Sequence, residues 1–344
     1  MLIEPADGDV PSVGDVPPDA HARSSRRVAE RVADLSGWAY VAVVVWLLLS
    51  MLLGITGPTV FTVMLQGITP LLFVPLVVLT PFALWRRRLA LAVTCAALVL
   101  AGVALVAPRL VHRGVPGWAA TAAQLTVLEA NVYDGNAEPA AAAAALLARH
   151  ADVMVLVEMT PNFLHALSAA GVEKQYAYRY VDELPTGSTN VEGIYSRLPL
   201  DAQHPVTAGH ETFDSAHVVV GTGGLTLVVV HIDSALHGVG EWNDELASVR
   251  RFARSTSGAV AVVGDFNATR WNPPLADFLD AGFHDGHEDV GRGLSMSWPD
   301  RSFPFAFVRI DHALVRGDVA VLRMDDVEVL GSDHGGFLAT LAVR

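Results

Sequence analysis

Cysteine is almost missing: Cys95 stands alone among 344 residues. A disulfide framework needs pairs of thiols, and cysteine-rich zinc or iron–sulfur sites need several, so both are excluded. Lysine is just as scarce. Lys174 is the single example, while arginine, alanine, valine and glycine abound, which reads as the codon bias of a GC-rich bacterial genome. Charge is thin as well: 17% of residues are Asp, Glu, Lys or Arg, against about 25% in ordinary soluble domains. With 52% hydrophobic residues, a largely disordered chain is excluded too. The net charge of −13 argues against broad electrostatic binding to nucleic acid, which relies on an excess of cations.

The apolar excess is concentrated near the N-terminus. No Asp, Glu, Lys or Arg occurs between Ser36 and Trp85. A bilayer core of about 30 Å takes about 20 helical residues. This run therefore holds two spans, residues 37–56 and 62–84, joined by a turn at Gly57-Pro58. Pro70 and Pro75 lie inside the second span and should kink it. After Arg86, Arg87 and Arg88 comes a third charge-free stretch, 89–107, so the expectation is three transmembrane helices. A cleaved signal peptide does not fit, because the first apolar segment follows a long polar stretch and exceeds an h-region in length. Arg23, Arg26, Arg27 and Arg31 precede the first span, and the triple-arginine link joins the second to the third. The positive-inside rule then places both in the cytoplasm and the C-terminal part outside. Arg109 and Arg113 oppose this weakly. The resulting division is a flexible cytoplasmic tail (1–35), a three-helix membrane anchor (36–113) and a soluble block (114–344). No ionisable residue lies within the spans, so they offer no transport path.

The soluble block holds 29 of the 36 acidic and 14 of the 23 basic residues, about −15 in net charge. Its apolar runs alternate with helical patterns. Strands are expected at 125–132, 153–157, 193–195, 218–220, 225–230, 260–263, 310–315 and 337–343, and helices at 138–149, 161–170, 242–254 and 274–279. Gly221 to Gly224 form a turn between two of the strands. Buried strands separated by helices, with hairpin turns among them, point to sheets covered by helices.

Polar residues follow these strands at once. Asn131 ends Leu-Thr-Val-Leu-Glu-Ala-Asn, Glu158 ends Val-Met-Val-Leu-Val-Glu, and His231 ends Leu-Val-Val-Val-His. Asp265 and Asn267 close Val-Val-Gly-Asp-Phe-Asn, Asp311 and His312 sit in Ile-Asp-His, and Asp333 and His334 in Ser-Asp-His. Strand ends in a helix-covered sheet share one rim, where ligands commonly bind. Carboxylates, carboxamides and histidines gathered there suit a hard divalent cation. Each fragment alone could be a turn, a cap or a solvated strand end.

Together, in this order, the fragments resemble the endonuclease/exonuclease/phosphatase superfamily over residues 123–344, with Gly-Asp-Phe-Asn and the C-terminal Ser-Asp-His the most specific parts. Ser196-Arg197-Leu198-Pro199-Leu200 adds to the likeness. The resemblance implies an α/β fold, a four-layer α/β/β/α sandwich, and metal-dependent hydrolysis of a phosphoester with Mg²⁺ or Mn²⁺. It implies that Asn131 and Glu158 hold the metal with Asp333 nearby, and that Asp265 orients or deprotonates the attacking water. Asn267 and His231 would stabilise charge on phosphoryl oxygens, and His334, oriented by Asp311, would exchange protons. Val157 departs from the family, which often has Gln before the metal Glu. His312 has at most a supporting role, and His237, His284 and His287 are expected to be solvent-exposed. The three spans resemble a bacterial membrane subgroup that includes the teicoplanin-resistance protein of vancomycin-resistance clusters. That implies a lipid-linked or small phosphoester or pyrophosphate of the cell envelope as substrate, with the lipid bilayer as the other partner. The alternatives are an extracytoplasmic nuclease, which the negative block disfavours, and a non-catalytic membrane receptor or scaffold that keeps the fold.

Overall fold

The computed structural model describes residues 18–181, 189–208, 211–299 and 306–344; the side chains of 18–24, 202–208 and 211–213 are not considered. Four helices lead: α1 (Pro18–Leu52), α2 (Val60–Gly67), α3 (Val74–Trp85) and α4 (Leu89–Val106). Helix α1 already begins at Pro18, so the latter half of the expected tail is helical, while residues 1–17 lie outside the described residues.

Two helical segments, Ser25–Leu52 and Leu89–Leu110, are long and apolar enough to cross a membrane. The second apolar run, expected as a span kinked by its prolines, is a pair of helical segments, Val60–Gly67 and Thr69–Trp85, bent by 72° at Ile68. The break has a local cause. Pro70 and Pro75 each occupy a first-turn position of a new helical segment, where the missing N–H costs nothing. At the opposite end of the bundle Glu30 pairs with Arg86 at 3.2 Å and Asp34 with Arg88 at 2.6 Å. The charged end of α1 therefore lies beside the triple-arginine link.

The rest of the chain forms two six-stranded sheets. One has the order β11-β12-β1-β2-β4-β3, and its strands are β1 (Ala123–Asn131), β2 (Val153–Met159), β3 (Tyr178–Val181), β4 (Val191–Ser196), β11 (Val319–Glu328) and β12 (Gly335–Val343). The other has the order β5-β6-β7-β8-β10-β9, with β5 (Leu200–Ala208), β6 (Glu211–Val220), β7 (Gly223–His231), β8 (Ala259–Asp265), β9 (His284–Asp285) and β10 (Asp311–Arg316). Inward residues of both, such as Val127, Val155, Val229 and Val263, fill the space between the sheets. The opposite face of the first sheet is covered by α5 (Pro139–Leu147) and α6 (Pro161–Ala169), followed by the short α7 (Val172–Gln175). The opposite face of the second is covered by α8 (Val239–Ser255) and α9 (Pro273–Asp280), with the one-turn α10 (Gly286–Asp289) after β9. Sheets thus pack face to face with helices on both outer surfaces, the four-layer arrangement that the family resemblance implies.

Each sheet contains one parallel pair joined by a helix, β1-α5-β2 and β7-α8-β8. Parallel strands end on the same side, so the pairs deliver Asn131 with Glu158 and His231 with Asp265 to one rim. Gly264 makes the second delivery possible. Its φ is +140°, and a Cβ there would lie 2.0 Å from the Val230 carbonyl oxygen of the adjoining strand. Any larger residue would push β7 from β8 and break the register that sets His231 beside Asp265.

Candidate active site

Asn131 is fully buried at the end of β1 and spans the gap between the two sheets. Its Nδ2 donates to Glu158 Oε1 at 2.7 Å and to Asp265 Oδ2 at 3.1 Å, while its Oδ1 accepts from the Tyr133 N–H at 2.9 Å. Its amide thus aligns two carboxylates. Glu158 leaves strand geometry at an irregularity in β2 and takes φ of +61°, which turns its carboxylate into the cleft. Tyr133 and Asn267 also adopt positive φ. Clustered left-handed backbone at non-glycine residues is a common sign of a functional site.

Glu158 also accepts from the Asp134 N–H at 3.0 Å and approaches His231 Nε2 at 3.2 Å. Burial alone would raise its pKa, but the hydrogen bond and charge of His231, with Asn131 and the Asp134 amide, outweigh it and bring the carboxyl down to about 2. His231 is clasped from the other side by Glu192 at 3.2 Å from Nδ1. Burial opposes its charged form, yet the two glutamates hold its proton well above the usual imidazole range.

Deeper in the cleft, Asp265 accepts from the Asn267 N–H at 2.7 Å. Asn267 Nδ2 donates to the Ile232 carbonyl at 2.8 Å, and the Asn267 carbonyl accepts from the buried Trp242 indole at 3.1 Å. Asp311 holds His334 Nδ1 at 2.9 Å. His334 Nε2 then points to Asp265 Oδ2 at 3.8 Å and Asp333 Oδ1 at 4.0 Å. Burial and the nearby charge of Asp311 push the Asp265 carboxyl up to about 6. Burial disfavours charged His334, but Asp311 and Asp265 lift it to about 10. Asp333 takes the Trp298 indole N–H at 3.2 Å on Oδ2, while its Oδ1 is buried with no hydrogen-bond partner.

Ligand atoms of Glu158, His231 and Asp265 lie within 4.8 Å of one another, as do those of Asp265, Asp311 and His334. Asp265 belongs to both groups. Carboxylates pressed together in a buried cleft, with an unpartnered oxygen on Asp333, fit a hard cation by the chemistry of the donor set.

Residues 128–334 match the Endonuclease/Exonuclease/phosphatase family. The chain belongs to that family. It is accordingly a metal-dependent phosphoric ester hydrolase. Among solved structures, TDP2 from D. rerio complexed with a single strand DNA product is 20% identical, with a TM-score of 0.55, covering 64% of this chain and 99% of that one. A truncated TDP2 from Caenorhabditis elegans is 15% identical, with a TM-score of 0.52, covering 64% and 98%. A family protein from Bacteroides thetaiotaomicron is 16% identical, with a TM-score of 0.51, covering 64% and 95%. At these identities the likeness is one of fold. No curated protein matches the chain.

All eight sequence-predicted site residues lie on this rim. Glu158, His231, Asp265, Asp311 and His334 form the two ligand groups, Asn131 and Asn267 brace them, and Asp333 stands at the edge. Two expectations about other histidines change. His287, expected at the surface, is 2% exposed, because α10 packs beneath β10 and β11, while His237 and His284 are exposed as expected. His312 is fully buried on the face of β10 opposite Asp311 and serves a different network. Two acidic residues escaped the sequence reading. Glu192 sits on β4, where a single Glu between Val191 and Gly193 gave little signal. Glu129 interrupts the apolar run of β1 with a carboxyl that is fully buried and has no partner; burial, then Asp311 and Asp265, hold its pKa well above the usual range. A charge inside an otherwise apolar strand was the available clue.

Proposed function

We propose that this chain is a membrane-anchored, Mg²⁺-dependent phosphoester hydrolase acting at the outer face of the cytoplasmic membrane. Its substrate would be a lipid-linked or small phosphoester or pyrophosphate of the cell envelope. The observation that carries the catalytic part is the sharing of Asp265 between two groups of metal-competent side chains in one cleft. The broken pair α2 and α3 counts in this reading as the middle one of three spans. The ion pairs between residues 30–34 and 86–88 are consistent with a cytoplasmic N-terminus. Three amino-terminal spans before an outward-facing domain of this family resemble the teicoplanin-resistance subgroup, which supports a cell-envelope substrate.

Glu158 and Asp265, kept in line by Asn131, would hold the cation, with Asp333 at its edge. A bound divalent cation polarises a phosphoryl oxygen and offsets charge that develops there. Asp265 would orient the attacking water. His334, its Nδ1 fixed by Asp311, presents Nε2 to exchange a proton. His231 and Asn267 would donate to phosphoryl oxygens as negative charge builds. The domain charge of about −15 disfavours a long polyanion, because DNA binding relies on neutralising cations. The test offers the full chain, with Mg²⁺, undecaprenyl pyrophosphate and phospholipids in vesicles alongside plasmid DNA. Turnover of a lipid-linked phosphate with intact plasmid is expected. Efficient nicking with no lipid turnover would replace this reading by the nuclease one.

A further inference from the structure

The anchor does not merely tether the catalytic domain; it is docked to one particular rim. The Thr269 hydroxyl donates to the Gly67 carbonyl at 3.1 Å, and Asn272 Nδ2 donates to the Val63 carbonyl at 2.9 Å, so α2 is held by the loop that follows Asp265 and Asn267. The Thr56 hydroxyl donates to Asn243 Oδ1 at 3.3 Å, in the first turns of the helix that follows His231. At the far end of α4, Arg109 pairs with Glu288 at 3.3 Å and lies over the Trp271 ring at 5.0 Å. The Gly293 N–H donates to the Arg109 carbonyl at 3.0 Å, and the Arg113 N–H to the Asp289 carbonyl at 2.9 Å. Thr269, Trp271, Asn272 and Asn243 lie on segments that leave the site end of the second sheet, while Glu288, Asp289 and Gly293 belong to α10 and the loop after it at the sheet's edge. The anchor and the metal-competent cleft therefore share a rim.

Exposed apolar side chains follow the same geography. Among the described residues of the soluble block, 114–344, the large ones are Val115, in the connector before β1, and Tyr133, Tyr178, Leu236 and Leu294. Tyr133 lies in the loop after Asn131, Leu236 in the loop after His231, where it is 62% exposed, and Leu294 beside the Arg109 contact. Tyr178 stands at the other end, paired with Ser196. Single exposed leucines are ordinary, but here three of the five large apolar groups lie on the rim from which the membrane helices emerge. Tyrosine and leucine are side chains that settle in the headgroup layer. Arg113, more than half exposed, adds a cation at that level.

We propose that the catalytic rim faces the bilayer, with Tyr133, Leu236 and Leu294 seated among the lipid headgroups. The cleft then opens onto the lipid surface and takes a phosphoester carried by a membrane lipid, without lifting it into water. This rests on the membrane anchoring proposed above and narrows its substrate to one presented in the plane of the membrane.

The test uses the full chain in phosphatidylcholine vesicles, in a Cys95→Ala background. Bimane is attached at Leu236→Cys, Leu294→Cys or Tyr178→Cys, and quenching by a phosphatidylcholine with doxyl near its headgroup is read. Severalfold stronger quenching at 236 and 294 than at 178 is expected. Equal quenching at all three positions overturns the orientation. The readout needs no turnover, so a vesicle-bound protein that hydrolyses nothing would count against the proposed function alone.

Discussion

Asp311 and His312 are neighbours on β10, yet each belongs to a separate histidine–aspartate pair on opposite faces of the sheet. Asp311 holds His334 at 2.9 Å; His312 is held by Asp285 at 2.7 Å. Both pairs are buried. They differ at the second ring nitrogen. In His312, Nε2 is closed off by the carbonyls of Ala268 at 3.1 Å and Arg309 at 3.2 Å. In His334, Nε2 looks into the cleft, with carboxylates no closer than 3.8 Å. One imidazole has a free nitrogen to trade protons, and the other has none. Within this one strand, chemistry is decided less by the pair than by what faces its far side. A third pair, His237 with Asp233 at 2.6 Å, is exposed and faces water.

The comparison predicts opposite phenotypes. The largest effect is expected for His334→Gln, which removes proton exchange while keeping much of the shape. Turnover should fall by about 10²–10⁴-fold, the usual worth of a positioned acid or base, with little change in thermal midpoint. A fall matched by loss of folded protein would erase the distinction between the two pairs. For His312→Ala the reverse is expected. Two carbonyls lose their donor inside the protein and Asp285 loses one hydrogen bond while keeping Arg309 at 3.3 Å, a loss of about 1–3 kcal/mol in stability, while the folded fraction keeps most of its turnover. Denaturant titration beside turnover per folded molecule separates the cases.

His287 sharpens the picture from the same pocket. It lies 3.9 Å from Asp285, and its Nδ1 is buried without a partner. Burial, reinforced by Arg309, lowers its pKa to about 4. The folded state resists the proton that the unfolded chain accepts near the ordinary value of 6.5. Its contribution is thus whole above about pH 6.5 and is lost as pH falls towards about 4, on the order of 3 kcal/mol in all. The variant His287→Gln should show a shallower loss of thermal midpoint over that window; an identical slope would remove His287 as its source. The smallest effect belongs to His237→Ala, for which neither turnover nor melting should change measurably, since exposed pairs are screened by water.

Much of the site was legible because its residues sit where apolar strands stop. Asn131, Glu158, His231 and Asp265 each follow a run of buried aliphatics, and a strand that ends in a polar residue announces a rim. The opposite roles of Asp311 and His312 were legible in principle from strand parity, which sends consecutive side chains to opposite faces. His287 was not, because its acidic neighbours suggest a surface and strands distant in sequence, β10, β11 and Phe337 of β12, bury it. Strands β5 and β11 escaped for a related reason: their polar residues interrupt the apolar pattern, and their pairing partners β6 and β12 supply the order. Pro70 and Pro75 foretold a bend in the second apolar run. The docking of α2 on Thr269 and Asn272 had no local signal, being a contact across about 200 residues of chain.

The most direct test follows bis-p-nitrophenyl phosphate cleavage by the full chain with Mg²⁺, with the metal chelated, and with Asp265→Asn. Asp265 is the one side chain common to both ligand groups. Cleavage with Mg²⁺ that disappears on chelation and in the variant is the expected result. Equal rates in all three samples would contradict a metal-dependent hydrolase built around Asp265.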